Sequence, residues 1–225
     1  MKTNSAGNCY LCGANLTKTA MRNHLFKVHA EDKDGKECRL LRIEGFPDKN
    51  YWLYIDIPAD ETLSELDAFL REIWLECCGH MSEFTEYKRG QRLYGPRPGP
   101  ISSKKKLKTF AAGEMLLHAY DFGSATESII TVIGNTLRKP QKDIVRLLAR
   151  NAPPVFKCAG CGETAEYIDT ESRYESDNPF YCEECAKEYD FEMILPVTNS
   201  PRMGECGYAG ELDTFEFNPE SIQVK

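Results

Sequence analysis

The stretch Gly113–Gly134, GEMLLHAYDFGSATESIITVIG, decides the reading of the central fold. Two apolar runs, Met115–Tyr120 and Ser128–Ile133, flank the turn-forming residues Asp121, Gly123 and Ser124. This is the pattern of a β-hairpin, and its strands are too apolar for a solvated sheet edge. The segments before it supply partners. Arg39–Glu44 and Asn50–Ile57 read as two strands joined by a Gly-Phe-Pro-Asp turn. In the second, Tyr51, Leu53, Ile55 and Ile57 alternate with Trp52, Tyr54 and Asp56, the pattern of a half-buried strand.

Pro58 ends that strand, and Thr62-Leu-Ser-Glu65 has the form of a capping box. Leu63, Leu66, Leu70, Ile73, Trp74 and Cys77 then share one helical face, which predicts a helix from about Leu63 to Glu76 packed on the sheet. A short strand is expected at Ser82–Tyr87. Lys142–Arg150 suits a strand or a short helix. The Pro/Gly loop Gly90–Pro100 and the basic run Ser102–Lys108 separate these elements. The run reads as a solvated loop that can also extend a nucleic-acid surface.

Two cysteine patterns stand outside this region. Cys9-x2-Cys12-x11-His24-x4-His29 brings two thiolates from a turn and two imidazoles from a following helix to one tetrahedral ion. Leu16, Met21 and Leu25 would form a small core, and zinc would contribute much of the folding free energy, on the order of 10–16 kcal/mol in such peptides. Cys158-x2-Cys161-x20-Cys182-x2-Cys185 has the spacing of a zinc ribbon closed by four thiolates. Two structural zinc ions are therefore expected. Cys38, Cys77, Cys78 and Cys206 have no assigned role. Cys77-Cys78 beside His80 offers the pattern of another metal site, but adjacent cysteines more often face opposite environments and Cys77 completes the apolar face of the helix, so packing is the favoured reading. Cys206, in the loop Asn199–Gly210, reads as a small buried residue. That loop is expected to pack back onto the ribbon or the central sheet, and the tail Leu212–Phe217 to frame an edge strand.

The net charge of −7 is unevenly spread: residues 1–30 carry +4 and residues 158–225 carry −12. A basic head suits nucleic acid, and Lys18, Arg22, Asn23 and Lys27 are the candidate contacts with DNA or RNA. One finger covers only about three base pairs, too few for specific affinity alone. The acidic C-terminal module would repel phosphate and suits a protein partner. No apolar run approaches the roughly 20 residues of a membrane span, and no signal-peptide core opens the chain, so a cytoplasmic protein is expected.

The elements His80–Phe84 (HMSEF) and Tyr120–Glu127 (YDFGSATE), behind the strand-helix unit YWLYIDIPADETLSELDAFLREIW, resemble the plasmid pRiA4b ORF-3-like family over residues 38–150. The resemblance implies a compact α+β fold with one helix on a mixed or antiparallel sheet. It also implies association with mobile elements and attached zinc modules, and it implies no reaction. Ser124-Ala125 departs from the aromatic usual after YDFG in that family.

The expected architecture is thus α+β: a small mixed or antiparallel sheet with one main packed helix, and two zinc modules. The expected domains are a finger (1–30), the α+β body (38–150) and a ribbon with its tail (151–225), with residues 31–38 as a charged connector. The leading functional expectation is a zinc-dependent binding or regulatory protein linked to mobile or defence elements. A protein-interaction adaptor is the second. The third is a metal-assisted enzyme using His80, Glu83 and Asp121, with His118 as a further titratable group nearby. No nucleophile elbow, phosphate-binding loop or HExxH pattern supports that third class.

Overall fold

In the computed structural model the hairpin forms from β6 (Met115–Tyr120) and β7 (Thr126–Arg138), with Tyr120 opposite Thr126. The turn is held by Asp121, whose φ is 65° and whose carboxylate accepts from the Gly123 N–H at 2.9 Å. Residues 5–29, 34–91, 98–139, 141–189, 191–211 and 215–222 are described. The other strands of the body are β3 (Lys36–Phe46), β4 (Trp52–Pro58), β5 (Ser82–Glu86) and β8 (Arg146–Asn151). Lys142–Arg150 thus resolves as a strand over its second half. β3 also takes in Lys36–Cys38, the end of the expected connector.

The finger's hairpin, β1 (Ala6–Cys9) and β2 (Asn15–Thr17), continues the same sheet through pairing of β1 with β8. The strand order is β2-β1-β8-β4-β3-β7-β6-β5, and every pair among the described strands is antiparallel.

Both faces of this sheet are covered. On one lies α2 (Leu63–Leu70), which runs into a π-helical turn at Arg71–Leu75. Its Leu63, Leu66, Leu70, Ile73 and Trp74 pack with Leu41, Ile43, Leu53, Ile55, Ile57, Ile130 and Val132 in the larger core. On the other lies α1 (Lys18–Val28), the finger's helix. Its Met21 and Leu25 pack with Cys9, Leu40, Trp52, Tyr54, Leu148 and Ala149. The single packed helix expected from the sequence is therefore joined by a second. For the same reason β4 is buried on both sides rather than half-buried: Trp52 and Tyr54 face α1, and Asp56 is 1 % exposed, clasped by Arg138 and Arg146.

The capping box at Thr62 does not form, because the Thr62 side chain makes no cap hydrogen bond. The first N–H groups of α2 donate instead to the Lys105 and Ser103 carbonyls at 3.0 and 2.9 Å. The basic run is thus a strap across the start of α2, with Lys106 and Lys108 at Asp60 and Lys105 over the Phe110 ring.

The ribbon is a separate small sheet, β10-β9-β11, built from β9 (Tyr167–Asp169), β10 (Phe180–Tyr181) and β11 (Ile194–Pro196), with a one-turn α3 (Glu183–Ala186). The expected edge strand at Leu212–Phe217 falls partly outside the described residues. Phe215 packs against the larger core instead of pairing in a sheet. No helix among the described residues is long and apolar enough to cross a membrane.

Candidate metal centres

Among the described residues, three groups of four side chains each bring their ligand atoms within 4.8 Å of one another. For a tetrahedral zinc with Zn–S of about 2.3 Å and Zn–N of about 2.0–2.1 Å, simple geometry gives edges of about 3.8 Å (S···S), about 3.5 Å (S···N) and about 3.3 Å (N···N). Those edges are the test of fit.

The finger meets it. Cys9 Sγ is 3.4 Å from His29 Nε2, Cys12 Sγ is 3.2 Å from His24 Nε2, and the two Nε2 atoms are 3.2 Å apart. The knuckle is set by Gly13, whose φ is 76° and whose N–H donates to the Cys9 carbonyl. Thr17 caps α1 through the Ala20 N–H, and the helix then turns His24 inward. Cys9 is wholly buried, and burial pushes its thiol up to about 11. A metal that displaces the proton removes that obstacle to forming a thiolate.

The ribbon meets it with sulfur alone. Cys161 and Cys182 sulfurs are 3.6 Å apart, close to a tetrahedral edge and far from a disulfide bond of about 2.05 Å. The Cys182 N–H, followed by those of Cys161 and Gly160, holds the Cys158 thiol down at about 6. Backbone donors converging on a sulfur are what a thiolate ligand requires.

The third group is Cys77, Cys78, His80 and Cys206. Cys206 is exposed rather than buried as the sequence suggests, whereas Cys77 packs partly buried against the larger core and Cys78 is exposed, yet the sulfurs of both reach the same cluster. Cys78 Sγ lies 3.7 Å from both Cys77 Sγ and Cys206 Sγ. His80 Nε2 lies 3.0 Å from Cys78 Sγ and 3.2 Å from Cys206 Sγ. The π-helical turn closes the helix at Leu75, with the Glu76 N–H reaching the Arg71 carbonyl, and Gly79 at a φ of 79° turns the chain so that both cysteines and His80 converge. The adjacency of Cys77, Cys78 and His80 offers three of the ligands locally, but the fourth, Cys206, is 126 residues from His80 and no spacing flags it. Its one local signal is the turn at Gly204-Glu205-Cys206-Gly207, where three residues have positive φ.

Of the residues considered for catalysis, His80 and Asp121 come together and Glu83 stands apart. His80 belongs to this third group and stands 3.5 Å from Asp121 Oδ2. The same Asp121 oxygen accepts from Arg202 at 2.8 Å. Glu83 stands on β5 and joins none of the three ligand groups among the described residues. His118 is fully buried on β6 and bonded to Asp67 at 2.7 Å.

The candidate nucleic-acid contacts also separate. Arg22, Asn23 and Lys27 are exposed on α1. Lys18 is turned inward, 2.6 Å from Glu44 and 2.8 Å from the Lys49 carbonyl, while its own carbonyl accepts from Tyr54. The helix start, the end that finger proteins insert into a groove, is therefore docked against the sheet.

No protein-family model matches the chain, and no curated protein matches it. The crystal structure of a protein of unknown function, MM3350 from Methanosarcina mazei Go1, is similar over 52% of this chain and 70% of its own, at 19% identity and a TM-score of 0.42. A likeness at that level carries no argument about function.

Proposed function

We propose that this chain is a zinc-stabilised, non-enzymatic binding protein. The observation that carries this reading is the completeness of its ligand groups: finger and ribbon each supply four protein ligands. A catalytic zinc keeps a position open for water or substrate, and a four-ligand site holds structure. The contact surface is the exposed side of α1, with Arg22, Asn23 and Lys27 beside Phe26 (45 % exposed) and Val28 (60 %).

With Lys18 engaged by Glu44, Arg22 and Lys27 are the candidate cations left for phosphate among the described residues of the finger. The nucleic-acid contact is accordingly weak and independent of base sequence. A link to mobile or defence elements rests on the family resemblance alone. A second reading, a protein-interaction adaptor, is favoured by Phe26 and Val28, which offer apolar area that a phosphate backbone does not use. The strongly acidic C-terminal module fits a basic protein partner in the same way.

Fluorescence anisotropy with short DNA and RNA duplexes across a salt series separates the two. Deleting the finger is a poor control, since it would strip β1 and α1 from the sheet; Arg22→Ala with Lys27→Ala leaves the fold alone. Nucleic-acid contact predicts binding that the double variant loses and a log–log salt slope no steeper than about −2, at roughly −0.9 per phosphate contact. Absence of binding at low salt overturns that contact and leaves the adaptor reading.

A further inference from the structure

We propose that Cys77, Cys78, His80 and Cys206 form a third zinc site, which latches the segment after the ribbon onto the central body. The latch closes between elements far apart in the chain: three ligands follow the π-helical turn, and the fourth sits in the turn at Gly204–Gly207.

Three observations support a metal rather than a chance meeting of thiols. First, the sulfur–sulfur distances of 3.7 Å suit tetrahedral edges and are too long for a disulfide. His80 reaches two of the sulfurs through the same nitrogen, Nε2, as one ligand atom facing a common centre would.

Second, a buried guanidinium stands against the sulfurs. A zinc ion with three thiolates and a neutral imidazole has a net charge of −1. Arg202 is fully buried, and its Nη2 donates to Cys77 Sγ at 3.3 Å and to Asp121 Oδ2 at 2.8 Å. Its Nη1 is tied to the Ser124 carbonyl and Thr126 hydroxyl at 3.2 and 3.1 Å, which fixes the guanidinium beside the sulfur. A buried cation aimed at a sulfur is a feature expected around a thiolate ligand.

Third, the segment bearing Cys206 is already docked around the site. Ser200 donates to the Trp74 carbonyl at 2.6 Å, at the end of the π-helical turn, and Arg173 of the ribbon donates to the Met203 carbonyl at 2.9 Å. The ligand turn is thus held against both the body and the ribbon, and a metal there would join the two.

The site deepens no partner claim and stands independently of what α1 contacts. Its test is the zinc content of the purified full chain by elemental analysis, beside Cys206→Ser and Cys78→Ser. Both residues are exposed, so neither substitution opens the core. Three zinc ions per chain, falling to two in either variant with unchanged far-ultraviolet circular dichroism, is the expected result. Cobalt loading provides a second readout: thiolate-to-metal charge-transfer absorption should correspond to nine sulfurs, every cysteine except the buried Cys38. Two zinc ions in the unaltered chain, three retained in both variants, or a Cys78–Cys206 disulfide in the freshly purified protein would each overturn the proposal. Should a variant fail to fold, the count in the unaltered chain still decides.

Discussion

Asp67 shows how one charged side chain fixes where two elements meet. It sits on α2, yet its carboxylate accepts from His118 on β6 at 2.7 Å and from Arg71 one turn on, also at 2.7 Å. Burial raises its pKa, but the hydrogen bonds from His118, Arg71 and Ser82 win, and it falls from the ordinary 3.8 to about 2. Arg71 then spans to the His80 carbonyl and Ser82, the strand start beside the third metal group. A carboxylate whose folded pKa is depressed gives stability that is present above its unfolded pKa and lost as pH falls through the folded one. Here the loss runs from about pH 4 down to about pH 2, and the shift corresponds to about 2 kcal/mol. Asp67→Asn should lower unfolding free energy by about that amount at neutral pH and flatten the acid limb, measured by urea unfolding at a series of pH values. Zinc loss in acid affects both proteins alike, so their difference isolates Asp67. Identical acid limbs would remove this role.

At the scale of elements, the readings that held were those whose signal is local. The hairpin was legible because its turn residues and both apolar runs lie within 22 residues of continuous sequence, Gly113–Gly134. The finger and ribbon ligands were legible because their spacings are short. Readings failed where a distant segment decided the outcome. The capping box at Thr62 was a sound local pattern, displaced by carbonyls of the strap at Ser103 and Lys105. Alternation in β4 suggested one wet face, but Met21 and Leu25, which read as a private finger core, cover that face. The join of finger and body depends on Gly7. A Cβ there would stand 2.0 Å from the Arg150 carbonyl oxygen and 2.7 Å from Asn151 Cα. Gly7→Ala should therefore part β1 from β8, shift tryptophan emission to the red as Trp52 meets water, and destabilise the fold by more than about 2 kcal/mol. Unchanged emission and stability would mean that this pairing does not hold the finger in place.

Across the whole molecule, the charge polarity seen in the sequence is spent partly inside the fold. The basic head contributes Lys18 to Glu44. The acidic C-terminal region contributes Glu211 to Arg150 on β8. Such contacts tie both ends of the chain to the central sheet, as do the Trp52 indole on Ser5 Oγ and the Tyr10 hydroxyl on the Phe215 carbonyl. The third candidate group was legible only in part: Cys77, Cys78 and His80 are neighbours in the sequence, but Cys206 comes from beyond the ribbon and only folding brings it to them. Metal and sheet should consequently fail together rather than in separate steps. The most direct test is urea unfolding followed by tryptophan emission, with zinc bound and after removal by a strong chelator. Trp52 lies under the finger helix and Trp74 ends beside the third group, so both report on the body. The account predicts that chelation shifts the emission to the red and lowers the midpoint of the body's transition. A body that unfolds at the same midpoint with the same emission, zinc or none, would contradict it.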